Sequence, residues 1–259
     1  MFSTTVLTAL LISFLAGMAT SIGGVLTFFV KKGNMKALAL GLSFSAGVML
    51  CISFMDILPE SIGWLGGVLG EKKGGILAVC FLLVGILIAG LIDYLIPDHV
   101  TDAMITDTNK TKLKRVGLMA ALAIAVHNFP EGIATFMTGL KSISLSIPIA
   151  AAIALHNIPE GISVALPIYN ATGKKRKAFF WASLSGMAEP FGAVIGFLLL
   201  RNFLNDFTFG IMFAIIAGIM IYLSLDELLP LSHEYSEGHQ CIVGVSCGIL
   251  VMAFSTILF

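Results

Sequence analysis

Charged residues are scarce in this sequence. Only 12% of its 259 residues are charged, whereas 58% are hydrophobic, and the formal net charge is zero. Soluble domains carry about 25% charged residues, so this shortage excludes an ordinary soluble protein and indicates a polytopic membrane protein embedded in a lipid bilayer.

The motifs of several enzyme classes are also absent. The His-Glu-x-x-His motif of zinc proteases does not occur, and the absence of a Walker A motif argues against ATP-driven transport. Di-iron bundles use Glu-x-x-His, whereas this chain carries His-x-x-x-Glu. The four cysteines form no Cys-x-x-Cys pair, and we interpret them as small apolar residues. The chain is therefore predicted not to be an enzyme and to hold no prosthetic group.

Long apolar stretches dominate what is present. Eight of them approach the roughly 20 residues that cross a bilayer as a helix. They cover about 4–30, 35–59, 75–96, 116–139, 143–168, 178–200, 208–230 and 240–258. The first lacks a basic amino-terminal region and is interpreted as a retained helix. The connections are short, so we predict an all-α integral membrane protein with a single transmembrane transport domain over 1–259.

Basic residues are concentrated in three alternate connections. The 1–2, 3–4 and 5–6 connections hold 11 of the 15 lysines and arginines. The positive-inside rule places these connections in the cytoplasm and both termini outside. The 7–8 connection is the exception, because it lies on the cytoplasmic side and contains no Lys or Arg. The cluster Lys174–Lys177 is interpreted as a topology signal, so no nucleic-acid partner is predicted.

One motif occurs twice within these apolar stretches. His-Asn-Phe-Pro-Glu-Gly-Ile begins at His127, and His-Asn-Ile-Pro-Glu-Gly-Ile begins at His156. We call His127–Gly132 and His156–Gly161 the two HNxPEG motifs. Ionisable residues are rare inside membranes and usually functional there. Because His and Glu at i and i+4 share one helix face, two such faces offer a transition-metal site.

The spacing of the motifs predicts a helical hairpin. A turn near residue 142 places His127 and His156 at similar depth, roughly 20 Å from the turn at 1.5 Å per residue. The two helices then run antiparallel and are related by a local two-fold axis in the membrane plane. The resulting metal zone is elongated, with room for more than one ion. Gly132 and Gly161 are expected to allow close helix approach.

Further acids lie in or at the ends of the apolar stretches. With no matching base inside a span, such a series requires cations. Glu189, beside a proline in the sixth span, is predicted to join the metal site or the path. We assign five acids to the permeation path: Asp56, Glu60, Asp93, Asp226 and Glu227. Met49, midway along the second span, is a candidate thioether ligand of the metal.

Two connections carry histidines and acids that are solvated residues by default and loose metal ligands at most. These residues are Asp98, His99 and Asp102 in the 3–4 connection, and His233, Glu234, Glu237 and His239 in the 7–8 connection.

The two HNxPEG motifs, read as HNFPEGIATF and HNIPEGISVA, resemble the fourth- and fifth-span signatures of the ZIP (Zrt/Irt-like) family of divalent metal transporters, most of all its bacterial ZupT-type branch. The resemblance implies a two-metal centre formed by spans two, four, five and six. One metal is expected on His127, Glu131 and Glu160 with His156, and Met49 in reach. A second is expected on Asn128, Asn157 and Glu189, with Glu131 and Glu160 bridging.

The resemblance also implies the cargo and the cellular location. Zn(II) is the expected substrate, with Fe(II), Mn(II), Co(II) and Cd(II) as further cargo, taken up across the bacterial inner membrane by one helix group sliding against another. A divalent-metal channel with the same site is the alternative, and a dinuclear-metal membrane enzyme is a more distant one. The sequence leaves open whether the chain forms a homodimer.

Overall fold

The computed structural model describes residues 4–95, 108–200 and 205–258. These residues form helices joined by short turns. The helices are α1 (Thr4–Leu26), α2 (Met35–Leu69), α3 (Glu71–Leu95), α4 (Thr108–Lys141), α5 (Ile143–Thr172), α6 (Lys175–Gly186 followed by Ala188–Ile195), α7 (Asp206–Tyr235) and α8 (Gln240–Leu258).

The predicted all-α membrane fold is confirmed. Within the described ranges, seven helices are long and apolar enough to cross a membrane, and the apolar part of α8, Gln240–Ser255, is shorter. The helix α3 is the most lipid-like, with a mean hydropathy of 3.0 and few buried residues. The count of eight spans and the side on which the termini lie stay predictions.

The predicted end of the second span is wrong. We expected it at residue 59, but α2 continues to Leu69 through a π-helical turn over Ser53–Ile57. Pro59 lies in the first turn after this irregularity. Its missing N–H therefore removes little from the helix, because a wide turn already interrupts the regular hydrogen bonding there. A matching π-helical turn, Leu223–Leu228, precedes Pro230 in α7.

The basic residues assigned to the 3–4 connection also need correction. The helix α4 begins at Thr108, so Lys110, Lys112, Lys114 and Arg115 belong to its first two turns. Their charge does not prevent helix formation, since Lys and Arg are good helix formers and keep their charged heads at the helix surface.

The helices pack in two groups. The first group contains α1, α4, α5 and α6, which contact one another, and the second contains α2, α3, α7 and α8. The groups meet where α2 packs on α5 and where α4 packs on α7. Both HNxPEG motifs lie in the first group, which we call the motif group.

Glycine allows the helices of the motif group to touch backbone to backbone. A Cβ atom on Gly132 would lie 1.8 Å from the carbonyl oxygen of Glu189 in α6. A Cβ atom on Gly161 would lie 1.9 Å from the carbonyl oxygen of Thr20 in α1. No side chain fits at such distances, so the expected close approach at both glycines is confirmed.

The predicted hairpin is also confirmed. The helix α4 ends at Lys141, Ser142 forms the turn, and α5 begins at Ile143. The two helices contact each other along their length, and the imidazole centroids of His127 and His156 are 6.0 Å apart.

The two-fold relation extends beyond this hairpin. The Ser61 hydroxyl in α2 donates to the carbonyl of Gly210 in α7 at 2.6 Å, and the Ser232 hydroxyl in α7 donates to the carbonyl of Ala39 in α2 at 2.7 Å. Ser61 and Ser232 are separated in sequence by the same number of residues as Ala39 and Gly210. A two-fold axis that exchanges α2 with α7 produces this reciprocal pair.

The same axis exchanges α3 with α8. Gly47 in α2 packs on the carbonyl of Val245 in α8, and Gly218 in α7 packs on the carbonyl of Leu82 in α3. Gly17 of α1 and Gly186 of α6 each pack on the carbonyl of the other, so the axis also exchanges α1 with α6. With the exchange of α4 and α5, the described helices form an inverted repeat around the central hairpin.

Candidate metal centre

The two HNxPEG motifs meet in the interior of the motif group. Their ionisable side chains are buried: His127 is 1% exposed, His156 3%, Glu131 5% and Glu160 0%. The helices α4 and α5 hold them at one depth, because each motif occupies the equivalent position on its side of the hairpin turn. Lipid and packed side chains thus replace water around four ionisable groups, an arrangement found mainly at functional sites.

The imidazoles and carboxylates of the two motifs lie within contact of one another. Nε2 of His127 is 3.2 Å from Oε1 of Glu131 and 3.4 Å from Oε1 of Glu160. Nε2 of His156 is 3.2 Å from Oε1 of Glu131 and 3.4 Å from Oε2 of the same side chain. His127 therefore contacts the glutamates of both helices, and His156 contacts the glutamate of the other helix, so the centre is formed by the two helices together.

The helix α6 adds a third carboxylate. Glu189 is fully buried, and its Oε2 accepts a hydrogen bond from the amide of Asn157 at 3.1 Å. The same amide donates to the carbonyl of Ala16 in α1 at 2.9 Å. Asn128 is buried as well, and its amide donates to the carbonyl of Ser185 in α6 at 3.5 Å. Both asparagines thus turn their amide nitrogens outward to the neighbouring helices.

Several polar atoms of this centre have no hydrogen-bond partner among the described residues. They are Nδ1 of both histidines, Oδ1 of both asparagines, Oε2 of Glu160 and Oε1 of Glu189. Buried polar atoms in this state are costly, and native proteins pair nearly all of them. A cation suits such a set, because carboxylate and amide oxygens and imidazole nitrogens can all act as ligands.

The ligand types define which cation fits. One nitrogen or oxygen atom from each of His127, His156 and Glu160 lies within 4.8 Å of the others, close enough to share one ion. Imidazole with carboxylate suits divalent first-row metals, and the centre offers no thiolate for copper(I). Three carboxylates, Glu131, Glu160 and Glu189, supply the negative charge that a divalent cation balances. The metal role of these residues stays a prediction.

Met49, Asp56 and Glu60 are not part of the group of close ligand atoms. Asp56 nevertheless lies within electrostatic range of His156 and Glu131, and Glu60 within that of Glu131. Met49 is buried in α2, where its carbonyl accepts the hydroxyl of Ser53. Asp56, in the π-helical turn, and Glu60 are exposed. One oxygen of Glu60 accepts a hydrogen bond from the indole of Trp64 at 3.4 Å. Their predicted roles as a thioether ligand and as entrance residues stay predictions.

The acids assigned to the other end of the path do come together. Asp93 at the end of α3 lies beside Asp226 and Glu227 in α7, with one carboxylate oxygen of each within 4.8 Å of the others. The expectation that no base matches these acids is wrong. Arg115 of α4 forms ion pairs with Asp93 at 2.5 Å and with Glu227 at 3.3 Å. The first turns of α4 run alongside α7, which brings this arginine into the helix bundle.

Some residues that we assigned to the 7–8 connection belong to helix α7. His233 and Glu234 belong to the last turn of α7, and Glu237 follows it. Glu234 forms an ion pair with Lys112 of α4, and Glu237 forms one with Lys36 of α2 at 3.0 Å. These acids therefore serve as partners of lysines. Asp98, His99 and Asp102 lie outside the described residues.

Sequence reasoning missed the contribution of α1. The carbonyl of Ala16 in α1 anchors Asn157. The second span, to which the resemblance pointed, also borders the centre, since the Ser45 hydroxyl of α2 donates to the carbonyl of Pro159 at 2.6 Å. The signal was present in the small residues of α1, which are buried against α5 and α6: Ala16, Gly17, Ala19, Thr20, Ser21, Gly23 and Gly24. A stripe of small residues is typical of closely packed membrane helices.

The fold and this centre together define a class of protein: an all-helical integral membrane protein whose interior presents a ligand set for transition metals. Comparison with known families shows the particular one. The family described as ZIP Zinc transporter matches residues 98–256, and the chain belongs to this family. It is a family of transporters and not of enzymes.

Full-length relatives agree with this assignment. The Zinc transporter ZupT of Clostridium perfringens is 47% identical, over 98% of this chain and 96% of that one. The protein of that name from Streptococcus mutans is 48% identical over 97% of each chain. The one from Chlorobaculum parvum is 49% identical over 99% of each chain.

Proposed function

We propose that this protein transports divalent transition-metal cations, with Zn(II) as the main substrate, across the bacterial inner membrane. The family and its zinc-transporter relatives support the metal class. One observation of the structure supports the location of the metal-binding site. The imidazoles and carboxylates of both HNxPEG motifs converge in a buried centre in which Oε2 of Glu160 and Oε1 of Glu189 have no hydrogen-bond partner among the described residues.

The centre is proposed to hold two metal ions. The first ion takes His127, His156, Glu131 and Glu160. The second takes the oxygen-rich side that Glu189 adds, together with the amide oxygens of Asn128 and Asn157, while Glu131 and Glu160 bridge the two ions. Five carboxylate and amide side chains with two imidazoles suit Zn(II), with Co(II) and Cd(II) as further cargo, and the oxygen-rich half also suits Mn(II) and Fe(II).

The packing of the helices favours a carrier over a channel. Every side chain of the proposed centre lies on α4, α5 or α6, within the motif group, and each is nearly or fully buried. A rigid group that holds the whole ligand set can carry the ion as it slides against α2, α3, α7 and α8. Oxygen ligands that can take up protons provide a route for release, because metal binding requires neutral imidazoles and ionised carboxylates.

Uptake into proteoliposomes tests the proposal. The purified protein is reconstituted and offered a panel of divalent metals, with internal metal and internal pH recorded together. His127→Ala, Glu131→Ala and Glu160→Ala are expected to abolish uptake, whereas Glu234→Gln, a change at an exposed glutamate outside the centre, keeps it. Wild-type uptake by a triple variant that carries all three alanines would refute the proposed site.

Two further measurements separate the alternatives within this proposal. A carrier shows trans-stimulation by internal metal in a counterflow experiment, whereas a channel does not. Glu189→Gln is expected to change the number of bound ions or the preference among metals. Coinciding binding isotherms for wild type and Glu189→Gln would assign Glu189 to packing.

A further inference from the structure

The inverted repeat is broken at one position of the metal centre. The two-fold axis that exchanges α1 with α6 brings Thr20 onto Glu189. In the structure, a Cβ atom on Gly17 would lie 2.8 Å from Cβ of Glu189, and a Cβ atom on Gly186 would lie 2.9 Å from Cβ of Thr20. The carbonyl contacts match too, since Gly161 packs on Thr20 as Gly132 packs on Glu189.

The two asparagines follow the same exchange. The amide of Asn157 donates to the carbonyl of Ala16, and the amide of Asn128 donates to that of Ser185, which is the two-fold equivalent of Ala16. The amide of Asn157 donates a second hydrogen bond, to Glu189. Because the two-fold axis exchanges Glu189 with Thr20, the corresponding neighbour of Asn128 is Thr20.

The threonine side chain is shorter than a glutamate, and the second hydrogen bond is not formed on this side. Thr20 is fully buried, and its hydroxyl oxygen has no hydrogen-bond partner within the described part of the chain. Oδ1 of Asn128 is buried without a partner in the same way. Both atoms are oxygens that can accept a contact from a cation or from its water.

We propose that Thr20 is a specificity-determining residue of the metal centre, where it forms with Asn128 a neutral oxygen half opposite the charged half of Asn157 and Glu189. The inference rests on the proposed function, because it assigns a role within the same site. A glutamate at position 20 would complete the two-fold cage and add a fourth carboxylate. Because threonine has no carboxylate, a divalent cation on this side keeps part of its hydration water and dissociates from the centre more readily.

An exchange of the two side chains tests the inference. Zn(II) and Mn(II) affinities are measured on the purified full-length protein by titration calorimetry, together with its thermal unfolding. Glu189→Thr is expected to lower Zn(II) affinity about 10- to 100-fold. Thr20→Glu combined with Glu189→Thr is expected to recover at least half of that loss on a logarithmic scale, because Gly186 leaves room for the new side chain. Thr20→Glu alone is expected to tighten binding and slow uptake.

Substitutions that keep the shape of the side chain give an independent test. Thr20→Val removes the hydroxyl and is expected to change the ratio of Zn(II) to Mn(II) affinity at least threefold, whereas Thr20→Ser retains the wild-type ratio. Ser13→Ala is the matched control, since Ser13 is also buried in α1, its hydroxyl has no hydrogen-bond partner among the described residues, and its two-fold equivalent, Ala182, is already alanine. Ser13 lies about two helical turns from Thr20.

The outcomes separate this inference from the proposed function. If the folded double exchange binds as weakly as Glu189→Thr, and Thr20→Val behaves like Ser13→Ala, Thr20 does not act on the metal. If the exchange fails to fold, the valine and serine variants decide. The proposed function fails in a different experiment, namely when the wild-type protein takes up no divalent metal into proteoliposomes, and the proposed site fails when the triple alanine variant keeps wild-type uptake.

Discussion

The contact between Gly132 and α6 gives the sharpest prediction, because any side chain there must separate two helices that hold the metal centre. In Gly132→Ala the new Cβ would lie 1.8 Å from the carbonyl oxygen and 2.5 Å from the carbonyl carbon of Glu189. Ordinary contacts begin at 3.4 Å, so the backbone of α6 must retreat by about 1.6 Å. The carboxylate of Glu189 retreats with it.

The expected effect follows from that displacement. Overpacking of this kind costs about 1–3 kcal/mol of stability. A misplacement of about 1 Å at a positioned group lowers function by up to about 100-fold. We therefore expect Gly132→Ala to insert into the membrane, to unfold at lower temperature, and to lose at least 90% of Zn(II) uptake in proteoliposomes.

A second glycine provides the matched control. Gly63 lies in α2, and a Cβ atom there would meet no atom of any other described residue within 4 Å, apart from the backbone of its own helix. Gly63→Ala should therefore keep wild-type uptake and gain slightly in helix stability. If Gly132→Ala transports and binds Zn(II) as well as Gly63→Ala does, the close approach of α4 and α6 does not position Glu189, and the reasoning is refuted.

Three further predictions concern pH, the arginine and the two-fold hydrogen bonds. Metal affinity should fall as the pH is lowered from 7 to 5, because protons compete with the cation for imidazoles and carboxylates, and a pH-independent Zn(II) isotherm would contradict this. Arg115→Gln should lower the thermal stability, since it leaves Asp93 and the buried Glu227 without their cation, and an unchanged unfolding temperature would show that these ion pairs contribute nothing. Ser61→Ala and Ser232→Ala should each destabilise the protein by about 1 kcal/mol and by similar amounts, because they remove equivalent buried hydrogen bonds, and clearly unequal losses in denaturant unfolding would argue against the equivalence.

The convergence of the two HNxPEG motifs was more predictable than the helix boundaries, and the reason lies in local chemistry. A histidine and a glutamate one turn apart mark a face of a helix, and their repetition after a hairpin turn fixes that the two faces meet. The end of α2 was missed because Pro59 is a reliable helix breaker only where the preceding turn is regular, and the π-helical turn over Ser53–Ile57 removes that condition.

Long-range charge pairing was the least predictable part. Arg115 follows three lysines and looked like a residue of a basic connection, yet it reaches Asp93 and Glu227, which are near it only in the folded bundle. The cluster of three acids therefore contains its own cation. Sequence spacing alone does not show this, because α3, α4 and α7 meet through packing and not through adjacency in the chain.

The sequence by itself determined the membrane class, the central hairpin and the side chains that we propose to bind the metal, because hydropathy and helix periodicity are local properties. Only the tertiary structure decided which neighbours complete the centre. The helix α1 enters it through backbone contacts at Ala16 and Thr20, which leave no mark in a pattern of ligand residues. The inverted repeat and its broken position likewise depend on which glycine faces which carbonyl across the helix bundle.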